Sequence, residues 1–567
     1  METVEKKYIA LTFGPITRAV GFAESTKELW AASYFFSYLA KTVIAPFSDR
    51  TFLLPLVDKQ MFEISEGAGL FPDRYIFEAQ KEDFEKLDEH ISTVLYSISE
   101  NMNLSLKIED GVEKINVFLK AYLKIFFVEK SFNASLGRRQ IVADCEHTLN
   151  LLEMQETFPD KEKINYLYAF FRQVNGNPIW EKDKIISGFN GTFLTLDAYG
   201  KKSKGEKLFE SIIEISASEL EIDLIDRYNR APEDRKKEVK DKYLIDAENL
   251  ILEDKQIRPY HKYIAIVKSD GDSMGKTIEE IDDTSKLSRA LLAFNNDTVR
   301  IIKEYGGKPV FIGGDDLLFF APVCYKGKTI FDLIQSLDNS FAASLAEHIG
   351  SGISLPTLSY GISISYYKYP MFEALNAADY LLERLAKGRE LQEKLVEKGI
   401  KEVVVEKNNV AFAMQKHSGQ MYTALFHKRC SESYKLLLEI VRKYCRKSSE
   451  LEEQNQDEEK FLVSVIHKFR EQSFMLSFIL KNDSAESLLK NFFENTFNEK
   501  VHKSYTGLFD DVQKFMIAAY KEFKTNFIQF NQKVKDEKLN IDFVTRTLEQ
   551  IATVLQFIHF VNSRNDE

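Results

Sequence analysis

At 567 residues and 44% hydrophobic content the chain exceeds what one core serves, so three or four domains are expected. Asp plus Glu (87) outnumber Lys plus Arg (76), and the net charge of −11 argues against nucleic-acid binding through overall charge, leaving only local basic patches. The four cysteines (Cys145, Cys324, Cys430, Cys445) form no Cys-x-x-Cys pair, no apolar run is long enough to span a bilayer, and the first residues lack a signal-peptide pattern, so a cytoplasmic location without zinc ribbon, disulfide framework or membrane contact is expected.

In chain order, Tyr8 to Phe13 predicts a strand opening into Gly14-Pro15. Ser25 to Lys41 predicts an amphipathic helix carrying Leu29, Trp30, Tyr34, Phe35 and Leu39, and Thr51 to Val57 a second strand. This β-α-β opening resembles half of a ferredoxin-like unit, and the loop after its first strand bears no acid that could hold a metal. From Asp73 to Phe158 the pattern is helical, with long runs such as Val112 to Phe127 and Gln140 to Glu153, and predicts a helical insertion. A strand at Thr192 to Leu196 precedes a basic loop, Gly200 to Lys207, more readily a solvated surface loop than a phosphate site. The charged run Arg227 to Lys242 marks a boundary.

The next stretch is more explicit. A strand at Tyr263 to Lys268 runs into Ser269-Asp270-Gly271-Asp272-Ser273-Met274-Gly275-Lys276, and a helix from about Ser285 to Tyr305 stops at Gly306-Gly307. Two apolar runs then flank Gly313-Gly314-Asp315-Asp316, which predicts a hairpin with acids at its tip. A helix near Thr329 to Ile349, a strand at Leu358 to Ser365, a helix from Met371 to about Leu395 and a strand at Glu402 to Val405 complete βαββαβ with an appended helix and strand. Beyond His417 the chain predicts helices near Met421 to Arg446, Lys460 to Lys481, Ala485 to Phe497, Leu508 to Gln532 and Ile541 to Val561, packed as a small bundle.

In a βαββαβ sheet the first strand and the central hairpin are adjacent, so Asp270 converges with Asp315 and Asp316. Either motif alone fits a polar surface turn. Together they predict a metal-nucleotide site, because clustered carboxylates stay ionised at neutral pH only if cations neutralise them. Two Mg2+ or Mn2+ ions on Asp270, Asp272, Asp315 and Asp316 suit this, with Asp272 the weakest member because it is placed to point away or cap the turn. Gly313 and Gly314 allow close approach of a substrate, the Gly271 and Gly275 amides and the Ser273 hydroxyl offer a phosphate cradle, and Lys276 neutralises charge there. Lys387, near a helix end, either reaches a triphosphate or serves the helix dipole.

These residues resemble the large, polymerase-like subunit of type III CRISPR effector complexes, particularly its Cmr-type branch. The likeness is carried by Phe13-Gly14-Pro15-Ile16 with Thr26-Lys27-Glu28-Leu29-Trp30-Ala31-Ala32-Ser33, by Asp270-Gly271-Asp272-Ser273-Met274-Gly275, by Gly313-Gly314-Asp315-Asp316, by Leu358 to Ile364, and by His417-Ser418-Gly419. The resemblance implies an α+β chain with two ferredoxin-like palm domains. The first, degenerate, palm begins at 1–72, a helical insertion occupies 73–188, 189–245 completes the first palm, 246–415 is the catalytic palm, and 416–567 is a C-terminal helical bundle. It implies partners (backbone and small subunits, guide crRNA and target RNA) and an RNA-activated nucleotidyltransferase that uses ATP to make cyclic oligoadenylates with release of pyrophosphate. Some members instead transfer AMP to S-adenosylmethionine. Many relatives begin with an HD nuclease and carry a cysteine-ligated zinc motif. This sequence has no His-Asp dipeptide and no such cysteines, so no DNA cleavage is expected. The alternatives are a cyclic dinucleotide synthase of the GGDEF type, against which Asp316 replaces that class's glutamate, and a catalytically silent scaffold.

Overall fold

The computed structural model describes residues 5–21, 23–55, 57, 71–155, 164–176, 211–220, 257–281, 284–349, 355–397, 406–429, 431–444, 455–482, 484–496, 506–534 and 543–563. The predicted strand at Thr192 to Leu196, the basic loop after it, the charged run from Arg227 and the strand at Glu402 to Val405 lie outside these residues.

Strand β1 (Glu5–Gly14) leads into helices α1 (Ile16–Gly21) and α2 (Thr26–Ile44). The hydroxyl of Ser25 caps α2 by accepting from the Glu28 amide. Strands β2 (Phe52–Leu54) and β3 (Arg74–Glu78), helices α3 (Asp83–Leu106) and α4 (Gly111–Tyr122), and strand β4 (Lys124–Asn133) follow. They form one antiparallel sheet in the order β2-β3-β1-β4, which is the ferredoxin-like order. The first βαββαβ unit is therefore complete by residue 133. This corrects the expectation that 73–188 is a helical insertion and that 189–245 completes the unit, since β3 and β4 hydrogen-bond directly to β1. Helices α5 (Arg138–Glu153), α6 (Tyr166–Gly176) and α7 (Ile212–Ser216) come next.

The second unit repeats the plan. Strand β5 (Tyr263–Asp272) is followed by helices α8 (Met274–Glu280) and α9 (Thr284–Glu304), the β6 (Lys308–Gly313)–β7 (Asp316–Pro322) hairpin, the short pair β8 (Cys324–Tyr325) and β9 (Lys328–Thr329), helix α10 (Ile330–Ile349) and strand β10 (Thr357–Tyr366). Gly306, at φ +79°, ends α9 as the sequence predicts. The predicted long helix from Met371 is broken into α11 (Met371–Tyr380), a π-helical turn (Leu381–Ala386) and α12 (Arg389–Glu397), with Gly388 at φ +71° between the last two. Two further strands, β11 (Asn409–Gln415) and β12 (Met421–His427), extend the sheet to β12-β11-β10-β5-β7-β6. The chain from Met421 thus begins as a strand, not as the expected helix, because its backbone pairs with β11.

Helices α13 (Glu432–Tyr444), α14 (Asn455–Glu471), α15 (Ser473–Leu480), α16 (Ala485–Thr496), α17 (Thr506–Val534) and α18 (Phe543–Asn562) form the C-terminal bundle. Its core is continuous with that of the second sheet: Phe557 meets Phe331 and Phe412, and Phe560 meets Tyr263 with ring centroids 4.8 Å apart. The other face of that sheet receives the first domain. Ala23 and Leu29 pack with Ile264, Ile266, Val310 and Phe320, and the buried Ser33 hydroxyl donates to the Val310 carbonyl at 2.9 Å. No helix among the described residues is long and apolar enough to cross a membrane.

Candidate active site

Register alone brings the acids together. The last ladder pair between β5 and β7 is Ser269 with Leu317, so the antiparallel continuation sets Asp270 opposite Asp316 and Gly271 opposite Asp315. The hairpin closes at Gly313 with Asp316, leaving Gly314 and Asp315 as a two-residue loop. Gly314 sits at φ +69°, a conformation such loops demand and L side chains resist. Gly271 is required for a different reason: a Cβ there would lie 2.1 Å from Asp315 Oδ2. At Gly313 the Phe311 ring fills the space a Cβ would need.

Asp315 and Asp316 are both raised. Desolvation, and then repulsion from Asp270, pushes Asp315 up to about 6, against the pull of its own and the Gly271 backbone amides and of Lys387. Asp316 is pushed well above the usual carboxylate range by desolvation and by Asp315, Asp270 and Asp73. Since Asp316 itself reaches solvent, repulsion is the firmer of these causes. Asp73 belongs to the first domain, just ahead of β3, and sequence reasoning missed it. Its own carboxyl is raised, chiefly by desolvation. The signal that finds it is structural: it needs β3 recognised as a strand and the two domains placed face to face.

Lys387 follows the π-helical turn and is nearly buried, with its ammonium 2.7 Å from Asp270 Oδ2 and 3.2 Å from Asp272 Oδ1 and donating to the Gly271 carbonyl. In this arrangement it is committed to the aspartates, not extended toward a triphosphate. Asp272 is a correction to the predicted metal set. Its side chain accepts from the hydroxyls of Thr357 (2.9 Å) and Ser359 (2.8 Å) and from the Asn408 amide (2.9 Å), besides Lys387. Those donors, with the ion pair, use up the lone pairs a metal would need. Ser273, at φ +61°, and Gly275 are exposed, and Lys276 points to solvent 3.8 Å from Glu280, so the proposed phosphate cradle is not gathered over the acids.

Asp270, Asp315 and Asp316 fit a hard divalent cation: they are oxygen donors that repel one another, set beside the open Gly314 of the turn. As they stand, no three His, Cys, Asp or Glu side chains among the described residues are close enough together to hold an ion. Asp272 is turned into its hydrogen-bonded cage, and Lys387 covers one oxygen of Asp270.

The second palm domain of Cas10/Cmr2 matches residues 263–396, and the N-terminal domain of the CRISPR-associated protein Cmr2 matches residues 8–107. The CRISPR system Cmr subunit Cmr2 of Pyrococcus furiosus is 28% identical over 201 residues, 30% of this chain and 20% of that protein. The match therefore spans about a fifth of that relative's length. A cryo-EM structure of the type III-B Cmr-beta complex bound to cognate target RNA contains a chain of the same fold, with a TM-score of 0.50 at 12% identity, covering 99% of this chain and 84% of that one. Residues 8–107 and 263–396 are thus similar to two domains of the Cas10/Cmr2 large subunits.

Proposed function

We propose that this chain is the nucleotidyltransferase subunit of a type III CRISPR effector complex, activated when target RNA pairs with the guide crRNA, and that it spends ATP to make a signalling nucleotide. The observation that carries the reading is the placement of Asp270 opposite Asp316, with Asp315 seated over Gly271 and pushed up to about 6. Such a group is poised to bind cations and is strained without them. Two Mg2+ or Mn2+ ions, when held by Asp270, Asp315 and Asp316, supply charge neutralisation for the attacking and leaving oxygens.

The protein's own part is positional. Asp315 presents its oxygens from the two-residue loop and Asp316 from the first position of β7, while Lys387 holds Asp270 and the end of β5. In the transfer, an acceptor oxygen forms a bond to the α-phosphorus of ATP as the bond to the β-phosphate oxygen breaks and pyrophosphate leaves. If the acceptor is the 3′-hydroxyl of another adenylate, each transfer lengthens a linear chain by one unit, and a last attack by the chain's own 3′-hydroxyl on its 5′ α-phosphate, again expelling pyrophosphate, closes a cyclic oligoadenylate. If it is S-adenosylmethionine the product is its AMP conjugate. Backbone and small subunits, crRNA and target RNA are the partners; the Cmr2 matches and the RNA-bound relative support that assignment.

The test is the assembled complex with matching target RNA, Mn2+ or Mg2+, labelled ATP and acceptors including S-adenosylmethionine, with mass spectrometry of the product. An RNA-dependent adenylate product is expected. A guanylate product without RNA would identify a cyclic dinucleotide synthase instead, and no product with intact assembly would identify a scaffold.

A further inference from the structure

The Gly-Gly-Asp-Asp turn is held from outside its own hairpin. Asn295, on α9 and 4% exposed, lies against the peptide of Gly314. With its amide oriented to match donors with acceptors, its nitrogen donates to the Gly314 carbonyl at 2.7 Å and to the Leu291 carbonyl at 3.2 Å, and its oxygen accepts from the Gly314 amide at 2.9 Å. The side chain thus pairs with both polar groups of the one residue in the loop at positive φ. The opposite orientation would face oxygen with oxygen and N–H with N–H.

The helix that carries it is anchored on both sides. Phe294 and Val299 of α9 are buried in the core of the second sheet, and Leu292, three residues before Asn295, packs against the core of the first domain. A short side chain on such an element has little freedom, so its amide is a fixed template for the loop. A two-residue loop whose Asp315 adjoins Asp316 and faces Asp270 needs such a template, because repulsion among these three carboxylates works to open it.

We infer that Asn295 is a positioning residue for the site: its amide clamps the Gly314 peptide and thereby sets the direction in which Asp315 and Asp316 present their oxygens to divalent cations. This rests on the metal-binding reading above. It does not touch substrate or ion itself.

The test uses the full-length chain, metal-free, and compares the parent with Asn295→Ala, Asn295→Ser and Ser33→Ala. Ser33→Ala removes another buried hydrogen bond to the same hairpin, at Val310, far from the turn, and so controls for general destabilisation. The readouts are Mn2+ affinity by electron paramagnetic resonance, amide exchange of peptides spanning 308–320, and thermal unfolding. Asn295→Ala should weaken Mn2+ binding by about 10-fold or more and speed exchange at the turn. Ser33→Ala should leave Mn2+ affinity within about 2-fold of the parent, on the scale of residues outside the ligand shells. Asn295→Ser, which keeps one hydroxyl hydrogen bond, should lie between, and it carries the comparison if the alanine variant does not fold. Equal Mn2+ affinity in parent and Asn295 variants, or an equal loss in Ser33→Ala, overturns the proposal. A parent that binds no Mn2+ overturns the metal reading instead, and unchanged turn exchange in the Asn295 variants then overturns the clamp as well.

Discussion

Asp315→Asn should make the metal-free chain more stable at neutral pH while abolishing nucleotidyl transfer. The folded protein raises this carboxyl from its ordinary 3.8 to about 6. Holding it ionised at pH 7 therefore costs about 3 kcal/mol, at roughly 1.4 kcal/mol per tenfold change in proton affinity. The sign follows from the raised value. Between about pH 4 and 6 the folded state keeps a proton that the unfolded state has released, so stability falls as pH rises through that window and the penalty is complete above it. Asparagine removes the penalty but weakens the bonds from the Gly271 and Asp315 amides, a loss of about 1–2 kcal/mol for hydrogen bonds to a charged group. The net gain is about 1–2 kcal/mol, or about 2–6 °C in Tm for a unit of this size. Differential scanning calorimetry of parent and variant in EDTA measures it: the variant should melt higher at pH 7.5, the difference should shrink toward pH 4.5, and Mg2+ should raise the parent's Tm and not the variant's. A variant that melts lower than the parent at pH 7.5, or a difference that does not change with pH, refutes the electrostatic reasoning.

Three further outcomes follow from the same geometry. Lys387→Met leaves Asp270 and the buried Asp272 without their cation and should destabilise the metal-free chain by about 3 kcal/mol, part of it restored by Mg2+; an unchanged Tm in EDTA contradicts this. Gly271→Ala places a methyl where Asp315 Oδ2 lies, 2.1 Å away, and should cut the rate of transfer by about 100-fold through displacement of the carboxylate, with assembly retained. Asp272→Asn should lower the Tm but leave Mn2+ affinity within about 3-fold of the parent, whereas Asp270→Asn should weaken it at least about 10-fold; equal losses would return Asp272 to the ligand set.

The second ferredoxin-like unit was legible because its punctuation is strong. Gly306-Gly307 ends a helix, Gly313-Gly314 turns a hairpin, and the apolar runs between them have strand lengths, so topology alone placed Asp270 beside Asp316. The first unit hid its later strands. Strand β4, Lys-Ile-Phe-Phe-Val-Glu-Lys-Ser-Phe-Asn, follows α4 with no glycine or proline between them, and most of it is half-buried on both faces, so it shows no clean alternation. Strand β12 buries Ala424 and Phe426 but carries apolar Met421 and Leu425 on its exposed face, so its residue types do not alternate although its burial does.

The sequence pattern places Asp270, Asp315 and Asp316 at neighbouring strand ends, as the register has them, but it does not show what surrounds each acid. The cage around Asp272 comes from residues 85 to 136 positions away, which no local pattern reports. Lys387 was read on a regular 3.6-residue helix, yet the π-helical turn before it re-phases the side chain and turns it onto the aspartates. Asp73 required a contact between domains, and Asn295 required knowing that α9 crosses the back of the turn.

The most direct measurement is pyrophosphate release and adenylate transfer from α-phosphate-labelled ATP by the complex assembled with guide and target RNA. It compares the parent with Asp315→Ala plus Asp316→Ala, in Mn2+ and in EDTA. The account predicts RNA- and metal-dependent product from the parent and none from the assembled double variant. Equal product from both, or metal-independent product, would contradict it.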